Sequence, residues 1–332
     1  MSDARSSSAT ATTGTADPVR PYRGRFAPSP SGPLHFGSLI AAVGSYLEAR
    51  TRGGEWLVRI EDLDPPRERP GATDEILATL ERLDLHWDGP ILRQSTRVDA
   101  YRAALDRLAA AGQTFRCACS RTLLSALAQN LRRDPGDELF HPRGCPMSPA
   151  AAGLDTACRF ETPDRDVEFM DRVQGRQCVN VARTVGDFVL RRRDGWYAYQ
   201  LAVVVDDAAQ GVTDVVRGAD LLGSTARQIL LQEALGLPPL TYMHLPLAVD
   251  ESGLKLSKSD DAPALSRERP AAQLVAALEF LRQSPAEGLG RASPGEVLQW
   301  ATVNWRPELF SGMTRGAVSD ASVRKSTQED RQ

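Results

Sequence analysis

Apolar positions recur along this chain in two rhythms: short runs that fit strands, and i, i+3, i+4 spacings that fit helices. Arg23–Ala27 reads as a short strand stopped by Pro28 and Pro30, with a turn at Gly32 leading into a helix from Ser38 to Arg50. Leu57–Ile60 reads as a second strand that runs into the acidic stretch Glu61-Asp62-Leu63-Asp64. Thr73–Leu83 predicts a helix capped near Thr73 or Asp74, with Ile76, Leu77, Leu80 and Leu83 on one face. A further helix is predicted over Asp99–Ala111. Beyond it come an apolar run at Val203–Val205, a strand at Thr213–Val216, a helix over Thr225–Leu235 and a strand over Met243–Val249. Strands alternating with helices predict an α/β protein built on a parallel sheet covered on both faces.

The rhythm breaks between residues 117 and 195. That segment holds all five cysteines and reads as an insertion between two halves of one sheet, 22–116 and 196–265, with a short helical cap over 266–318. Residues 1–21 and 319–332 are polar and aperiodic, so disordered tails are expected there.

Composition narrows the picture. The 332 residues suffice for about two domains, or one with an insertion, and a chain of this size buries a core without disulfide staples. No window reaches about 18 uninterrupted apolar residues, so no membrane-spanning helix is expected. The start of the chain lacks the apolar stretch of a secretory signal, and Asp3 and Asp17 argue against a transit peptide. An odd number of cysteines without an export signal points to the cytoplasm, and to thiols kept free or given to a metal. The net charge of −3 does not mark a nucleic-acid binder. Of the 40 basic residues, 37 are arginine; lysine occurs only at Lys255, Lys258 and Lys325. A lysine in this background is a choice, and two of the three stand three residues apart.

Two segments carry phosphate chemistry. Pro28-Ser29-Pro30-Ser31-Gly32-Pro33-Leu34-His35-Phe36-Gly37-Ser38 leaves the first strand, turns and opens a helix. Free backbone N–H groups and the helix dipole favour an anion there. Gly37 allows close approach of phosphate to the backbone, and His35 offers a donor. Taken alone, a Pro/Gly loop with an incidental histidine reads equally well. Lys255-Leu256-Ser257-Lys258-Ser259 offers two mobile ammonium groups beside hydroxyls, suited to a departing pyrophosphate. A solvated basic loop is the alternative, weakened by the scarcity of lysine elsewhere.

In this order and at this separation, the two segments resemble the HIGH and KMSKS signatures of class I aminoacyl-tRNA synthetases. Arg25-Phe26-Ala27-Pro28-Ser29-Pro30-Ser31-Gly32, Arg59-Ile60-Glu61-Asp62, Tyr199 through Asp207 and Val216-Arg217-Gly218-Ala219-Asp220 are similar to the glutamyl-tRNA synthetase group. The resemblance covers about residues 22–265. It departs at Ser38, where histidine is usual, and at Leu256, where methionine is; both are tolerated in the group. It implies a Rossmann-like catalytic domain that activates L-glutamate with Mg²⁺ and ATP, without tRNA, to glutamyl-adenylate. Carried over, His35 and Lys258 are catalytic, and Gly37, Ser38, Lys255 and Ser259 join them in holding ATP. Arg25, Phe26, Ala27, Pro28, Ser29, Glu61, Tyr199 and Arg217 hold glutamate, with Arg25 and Arg217 as forks for carboxylates and Glu61 as the partner of the ammonium.

Within the group, the chain is most similar to a truncated branch that passes glutamate to the queuosine base in the anticodon of tRNA(Asp). The stretch after Ser259 is short for further anticodon-reading domains, which agrees with that acceptor, and a monomer is expected. The rival acceptor is the 3′ end of tRNA(Glu), as in a discriminating glutamyl-tRNA synthetase. A rival of another kind is a non-catalytic zinc protein that binds RNA on a synthetase scaffold; the intact motif residues weigh against it.

Cys117-Ala118-Cys119 with His141 and Cys145 offers three thiolates and an imidazole, a closed tetrahedral set for one structural zinc. The resembling family has tyrosine where His141 stands, and histidine is the better ligand. Cys158 and Cys178 read as small core residues, either of which is an alternative fourth ligand. Phe115, Trp196, Trp300 and Trp305 read as core rather than base-stacking residues. His86 and His244 match no motif.

Overall fold

The computed structural model describes residues 20–130, 140–145, 155–250, 253, 256 and 264–318. The first half comprises β1 (Arg23–Phe26), α1 (Phe36–Thr51), β2 (Glu55–Ile60), α2 (Ala72–Arg82), β3 (Leu92–Arg93) and α3 (Val98–Ala110). The middle adds β4 (Thr114–Cys117), α4 (Arg121–Asn130), β5 (Ala157–Phe160), β6 (Asp166–Asp171), β7 (Gly175–Asn180), α5 (Val181–Thr184) and β8 (Val189–Arg191). Then follow α6 (Tyr199–Ala209), β9 (Asp214–Gly218), α7 (Leu222–Ala234), β10 (Thr241–Leu245) and β11 (Leu247–Val249). The chain continues with α8 (Pro270–Phe280), α9 (Pro294–Asn304) and β12 (Arg315–Ala317).

The parallel sheet expected from the alternation is present. β1, β2 and β3 run parallel in that order, and β10 is parallel to both of its neighbours, β9 and β6. β1 lies beside β9, where the Thr213 N–H donates to the Arg23 carbonyl at 2.9 Å. The 117–195 segment is thus stitched into the sheet through β6, to which β7 adds an antiparallel edge. Its remaining strands, β4, β5 and β8, form a small antiparallel sheet of their own.

Two apolar cores follow from this layout. Leu39, Val43 and Leu47 of α1 pack with Trp56 and Val58 of β2, and Leu274, Leu278 and Val297 of α8 and α9 join the same core. The helices of 266–318 therefore cover α1. A second core gathers Tyr101 and Leu108 of α3, Leu201 and Val204 of α6, and Leu230 of α7 with Phe160 and Phe188. The apolar run at Val203–Val205 belongs to α6.

Several local expectations are corrected. α2 is entered through Gly71, at φ 78° and without a side-chain cap, while Asp74 and Glu75 occupy its first turn. The strand expected over Met243–Val249 is two strands. Pro246 separates them because it has no N–H for the ladder, and β11 turns to pair with β12. Cys178 is exposed and Cys158 half-buried. Trp196 is exposed, whereas Trp300 and Trp305 pack on the first core and Phe115 on the cysteine cluster. The expected tails lie outside the described residues except for Arg20 and Pro21.

Glu48 ties three elements together from inside. It is buried on α1, pairs with Arg172 in the turn after β6, and accepts from Trp305 Nε1 at 2.8 Å. Removing one partner of a buried pair costs on the order of 3 kcal/mol, against less than about 1 kcal/mol for an exposed pair. Glu48→Ala should therefore lower the melting temperature clearly. Glu55→Ala, which breaks the exposed pair with Arg23, should barely move it. Thermal unfolding followed by circular dichroism compares the two.

Candidate active site

In open parallel sheets, ligands bind beyond the carboxyl ends of the strands, where neighbouring connections diverge. Here β1 leads into α1 and β9 into α7, and a cavity of about 730 Å³ opens between them. Arg25, Phe26, Ala27, Ser29, Glu61, Tyr199 and Arg217 all line it, as does His35. A smaller adjoining cavity of about 300 Å³ is bounded by Pro28, Gly37, Ser38 and Leu256. Of the residues expected to hold ATP, Lys255, Lys258 and Ser259 lie outside the described residues.

His35 caps α1, its Nδ1 accepting from the Ser38 N–H at 3.3 Å. That bond puts the ring proton on Nε2, which is the donor form. A Cβ on Gly37 would stand 3.1 Å from His35 Cε1, so the glycine makes room for the ring across the first helical turn.

The arginines divide into two kinds. Arg25 donates to Asp207 through Nε at 3.0 Å and Nη2 at 3.4 Å, and Arg59 donates to the same carboxylate at 2.7 Å. Arg59 also reaches Gln210 at 2.9 Å and Glu61 at 3.3 Å. Two buried cations thus face two carboxylates. Arg25, expected as an open fork for the substrate, is already engaged along one edge. Glu61 is likewise shared with Arg59.

Arg217 differs. Its Nε donates to His244 Nε2 at 3.0 Å. Nη1 meets Gln228 at 2.8 Å and the Tyr199 hydroxyl at 3.3 Å. Nη2 meets Thr225 at 2.9 Å and the Leu221 carbonyl at 3.4 Å. Every one of these partners is a neutral acceptor, and no ion pair of Arg217 occurs among the described residues. The guanidinium is 5% exposed and borders the cavity, and its five N–H groups all meet uncharged acceptors, so its charge has no counter-ion among the described residues.

The two buried acids are shifted in opposite directions. It pushes Glu61 above the ordinary glutamate value against the pull of Arg59 and Arg25. Burial also acts upward on Asp207, but Arg25 and Arg59 outweigh it and hold that carboxyl below the ordinary value. Tyr199 is raised, chiefly by burial, and stays a neutral hydroxyl.

The sequence reading gave His244 no role and named Asp207 only within a motif. The structure puts both around the arginines, together with Asp171, whose carboxylate meets His244 Nδ1 at 2.6 Å. A lone histidine inside the apolar strand Tyr242-Met243-His244-Leu245 was the available signal. Thr225 and Gln228, three apart on α7, present one face to Arg217.

Away from the cavity, Cys117, Cys119, His141 and Cys145 converge. Their ligand atoms lie within 4.8 Å of one another, and all four residues are buried. Cys119 Sγ is 3.1 Å from Cys145 Sγ, and Cys117 Sγ is 3.1 Å from His141 Nε2. Cys117 is held below the usual thiol range: burial raises it, but the Cys119 N–H and His141 outweigh that. His141 Nδ1 lies 3.4 Å from Asp187 Oδ2, near enough for an ion pair but without a hydrogen bond. The loop is seated by the His141 N–H on the Val185 carbonyl at 2.9 Å. Gly186 makes this possible: its φ is 76°, and a Cβ there would stand 1.7 Å from the His141 carbonyl oxygen. The cluster fits a metal ion, and neither Cys158 nor Cys178 belongs to it.

The family model for the catalytic domain of class I tRNA synthetases (E and Q) matches residues 21–291. The chain belongs to this family. It is 55% identical to a glutamyl-Q tRNA(Asp) synthetase of Dechloromonas aromatica over 86% of this chain and 94% of that protein. A glutamyl-Q tRNA(Asp) synthetase of Aromatoleum aromaticum is 54% identical over 91% and 96%. Among solved structures, a glutamate tRNA ligase from Elizabethkingia meningosepticum in complex with its amino acid superposes with a TM-score of 0.75 at 25% identity. It covers 93% of this chain and 69% of that one. The class I synthetase fold is therefore shared, and the segment around His35 stands at the strand ends that define the cavity.

Asp207 is the group whose loss this synthetase fold should feel most. Asp207→Asn leaves Arg25 and Arg59 short of charge and should destabilise by about 3–5 kcal/mol at neutral pH. Because the folded carboxyl titrates below its unfolded value of about 3.9, its stabilisation is complete above that pH. It fades as pH falls through the lower folded value. The melting temperatures of wild type and Asp207→Asn should therefore converge on acidification below about pH 4; a constant gap would contradict the charge assignment.

Proposed function

We propose that this chain activates L-glutamate with ATP and transfers it to the queuosine base in the anticodon of tRNA(Asp). The observation that carries the first step is Arg217, a buried cation with only neutral partners in a cavity that also offers Glu61. Glutamate brings two carboxylates and one ammonium, and this site complements them: Arg217 receives a carboxylate and Glu61 receives the ammonium. The choice of acceptor is supported by identities of 55% and 54% to proteins named glutamyl-Q tRNA(Asp) synthetase.

In activation, the substrate α-carboxylate attacks the α-phosphorus of ATP, the bond to the bridging oxygen breaks, and pyrophosphate leaves. Charge grows on the phosphate oxygens, where the N-terminus of α1 and the His35 Nε2–H offer preorganised donors. Lys258, with Lys255 in support, follows the departing pyrophosphate as a mobile cation. Mg²⁺ accompanies ATP and offsets phosphate charge. Asp207 and Glu61 face Arg25 and Arg59, so the substrate carboxylate meets Arg217 as the buried arginine with only uncharged partners.

Zinc is the metal the Cys117, Cys119, His141 and Cys145 set suits. Three thiolates and an imidazole close a tetrahedron with no open position, which makes the role structural.

The acceptor is tested with three samples of tRNA(Asp): normal, lacking the terminal adenosine, and taken from cells that make no queuosine. Labelled glutamate should enter the first two and not the third. Loss of label on trimming the terminal adenosine would show a conventional 3′-end synthetase. For the metal, elemental analysis of protein purified without chelator should find one zinc per chain, and Cys117→Ser should lower the melting temperature. Metal-free wild-type protein with an unchanged melting temperature would refute the assignment.

A further inference from the structure

Tyr199 and Leu221 hold Arg217 from the cavity side, and a second set of contacts holds it from behind. Behind it, Nε donates to His244 Nε2 at 3.0 Å, and His244 Nδ1 meets Asp171 Oδ2 at 2.6 Å. His244 lies on β10 between β9 and β6, so the line runs across three strands from the turn after β6 to the cavity. Both histidine and Asp171 are buried, and neither lines the cavity.

The chemistry of this line allows one protonation pattern. An arginine Nε always carries hydrogen, so His244 Nε2 must present its lone pair. The ring hydrogen is then on Nδ1, facing Asp171, and the short distance there agrees. Asp171 is itself held: its Oδ1 accepts from the backbone N–H groups of Val173 at 3.0 Å, Gln174 at 2.8 Å and His244 at 3.3 Å. Burial lowers the imidazole against the upward pull of Asp171, which keeps it uncharged beside a guanidinium.

We propose that Asp171 and His244 are positioning residues for Arg217: the carboxylate fixes the neutral Nδ1–H tautomer, and the Nε2 lone pair aims the guanidinium into the cavity. A carboxylate placed directly on Arg217 would compete with a substrate carboxylate. An intervening neutral imidazole orients the cation and leaves its charge for the ligand. Asp207, which binds Arg25 and Arg59 directly, shows the contrasting arrangement in the same site. The proposal rests on the glutamate-activation reading above.

Glutamate-dependent pyrophosphate–ATP exchange tests it. In Asp171→Asn, the amide can turn its N–H toward His244 and force the tautomer that opposes Arg217 Nε–H. In His244→Leu, the acceptor is gone. Both variants should raise the KM for glutamate at least tenfold and leave the KM for ATP unchanged. His244→Gln, whose amide oxygen can accept from Arg217, should recover part of that loss. Because Asp171 also closes a turn, the two His244 variants decide the matter should Asp171→Asn fail to fold. An unchanged glutamate KM in His244→Leu, or a fall in kcat with both KM values unmoved, would overturn the proposal. Absence of exchange in the wild type would instead remove the activation reading itself.

Discussion

The constraint on which the site depends is the sharing of Asp207 by Arg25 and Arg59. The three residues come from α6, β1 and β2, separated by 182 and 148 positions in sequence, and all are buried. Taking such charges out of water costs several kcal/mol per ion, recovered only when geometry and partners are nearly complete. Gln210 and Glu61 engage further donors of Arg59, whose Nε stays buried without a hydrogen-bond partner. Once formed, the cluster fixes the strand β1 against the helix α6, and so fixes where the loop before α1 begins. It also sets the electrostatics of the cavity, because Asp207 and Glu61 together offset the charges of Arg25 and Arg59, whereas Arg217 has only uncharged partners among the described residues.

The metal cluster answers a different problem. Among the described residues, the core around it consists of Cys117, Cys119, Leu124 and Cys145 with Phe115 packed alongside, which is little apolar surface for a folded segment. The antiparallel strands β4, β5 and β8 lend support on one side, and the Gly186 turn seats the His141 loop on the other. A metal ion held by these four residues would add folding free energy where packing supplies little. That explains why the cysteines concentrate here while Cys158 and Cys178, outside the cluster, stand in half-buried and exposed positions.

What was legible in the sequence follows the range of the interactions. Strands and helices were visible because burial repeats at short period, and the segment at His35 because a proline-glycine turn and a helix start are local events. Arg25, Glu61, Tyr199 and Arg217 were found by motif, and the structure brings them to one cavity. Their partners were not found. Asp171 and His244 meet across 73 positions, and nothing near either residue marks the contact. The engagement of Arg25 by Asp207 was hidden for the same reason: an arginine in a motif looks alike whether a carboxylate of the chain or of a ligand completes it. Pro246 was in plain view, but an apolar run on both sides outweighed it.

The two cavities share a wall, and that wall is where the chemistry belongs. Phe26, Ala27, Ser29, His35, Gly218 and Asp220 border both. On one side stands the helix terminus that favours phosphate, on the other the cation that favours carboxylate. A Cβ on Gly218 would come within 2.6 Å of Asp220 Oδ1 and 3.1 Å of Leu247, so the strand end is kept bare where the cavities join. Two anions repel, and in water they meet rarely and unaligned. Separate binding determinants on either side of a narrow boundary pay that cost through ground-state binding and hold the reacting atoms in line. Such positioning supplies up to about 7–11 kcal/mol of a barrier. The chain therefore needs no acid or base at the attacking oxygen, which is already ionised at neutral pH. Its task is to place two charged groups together, and the proposed division between Arg217 and the N-terminus of α1 would accomplish it.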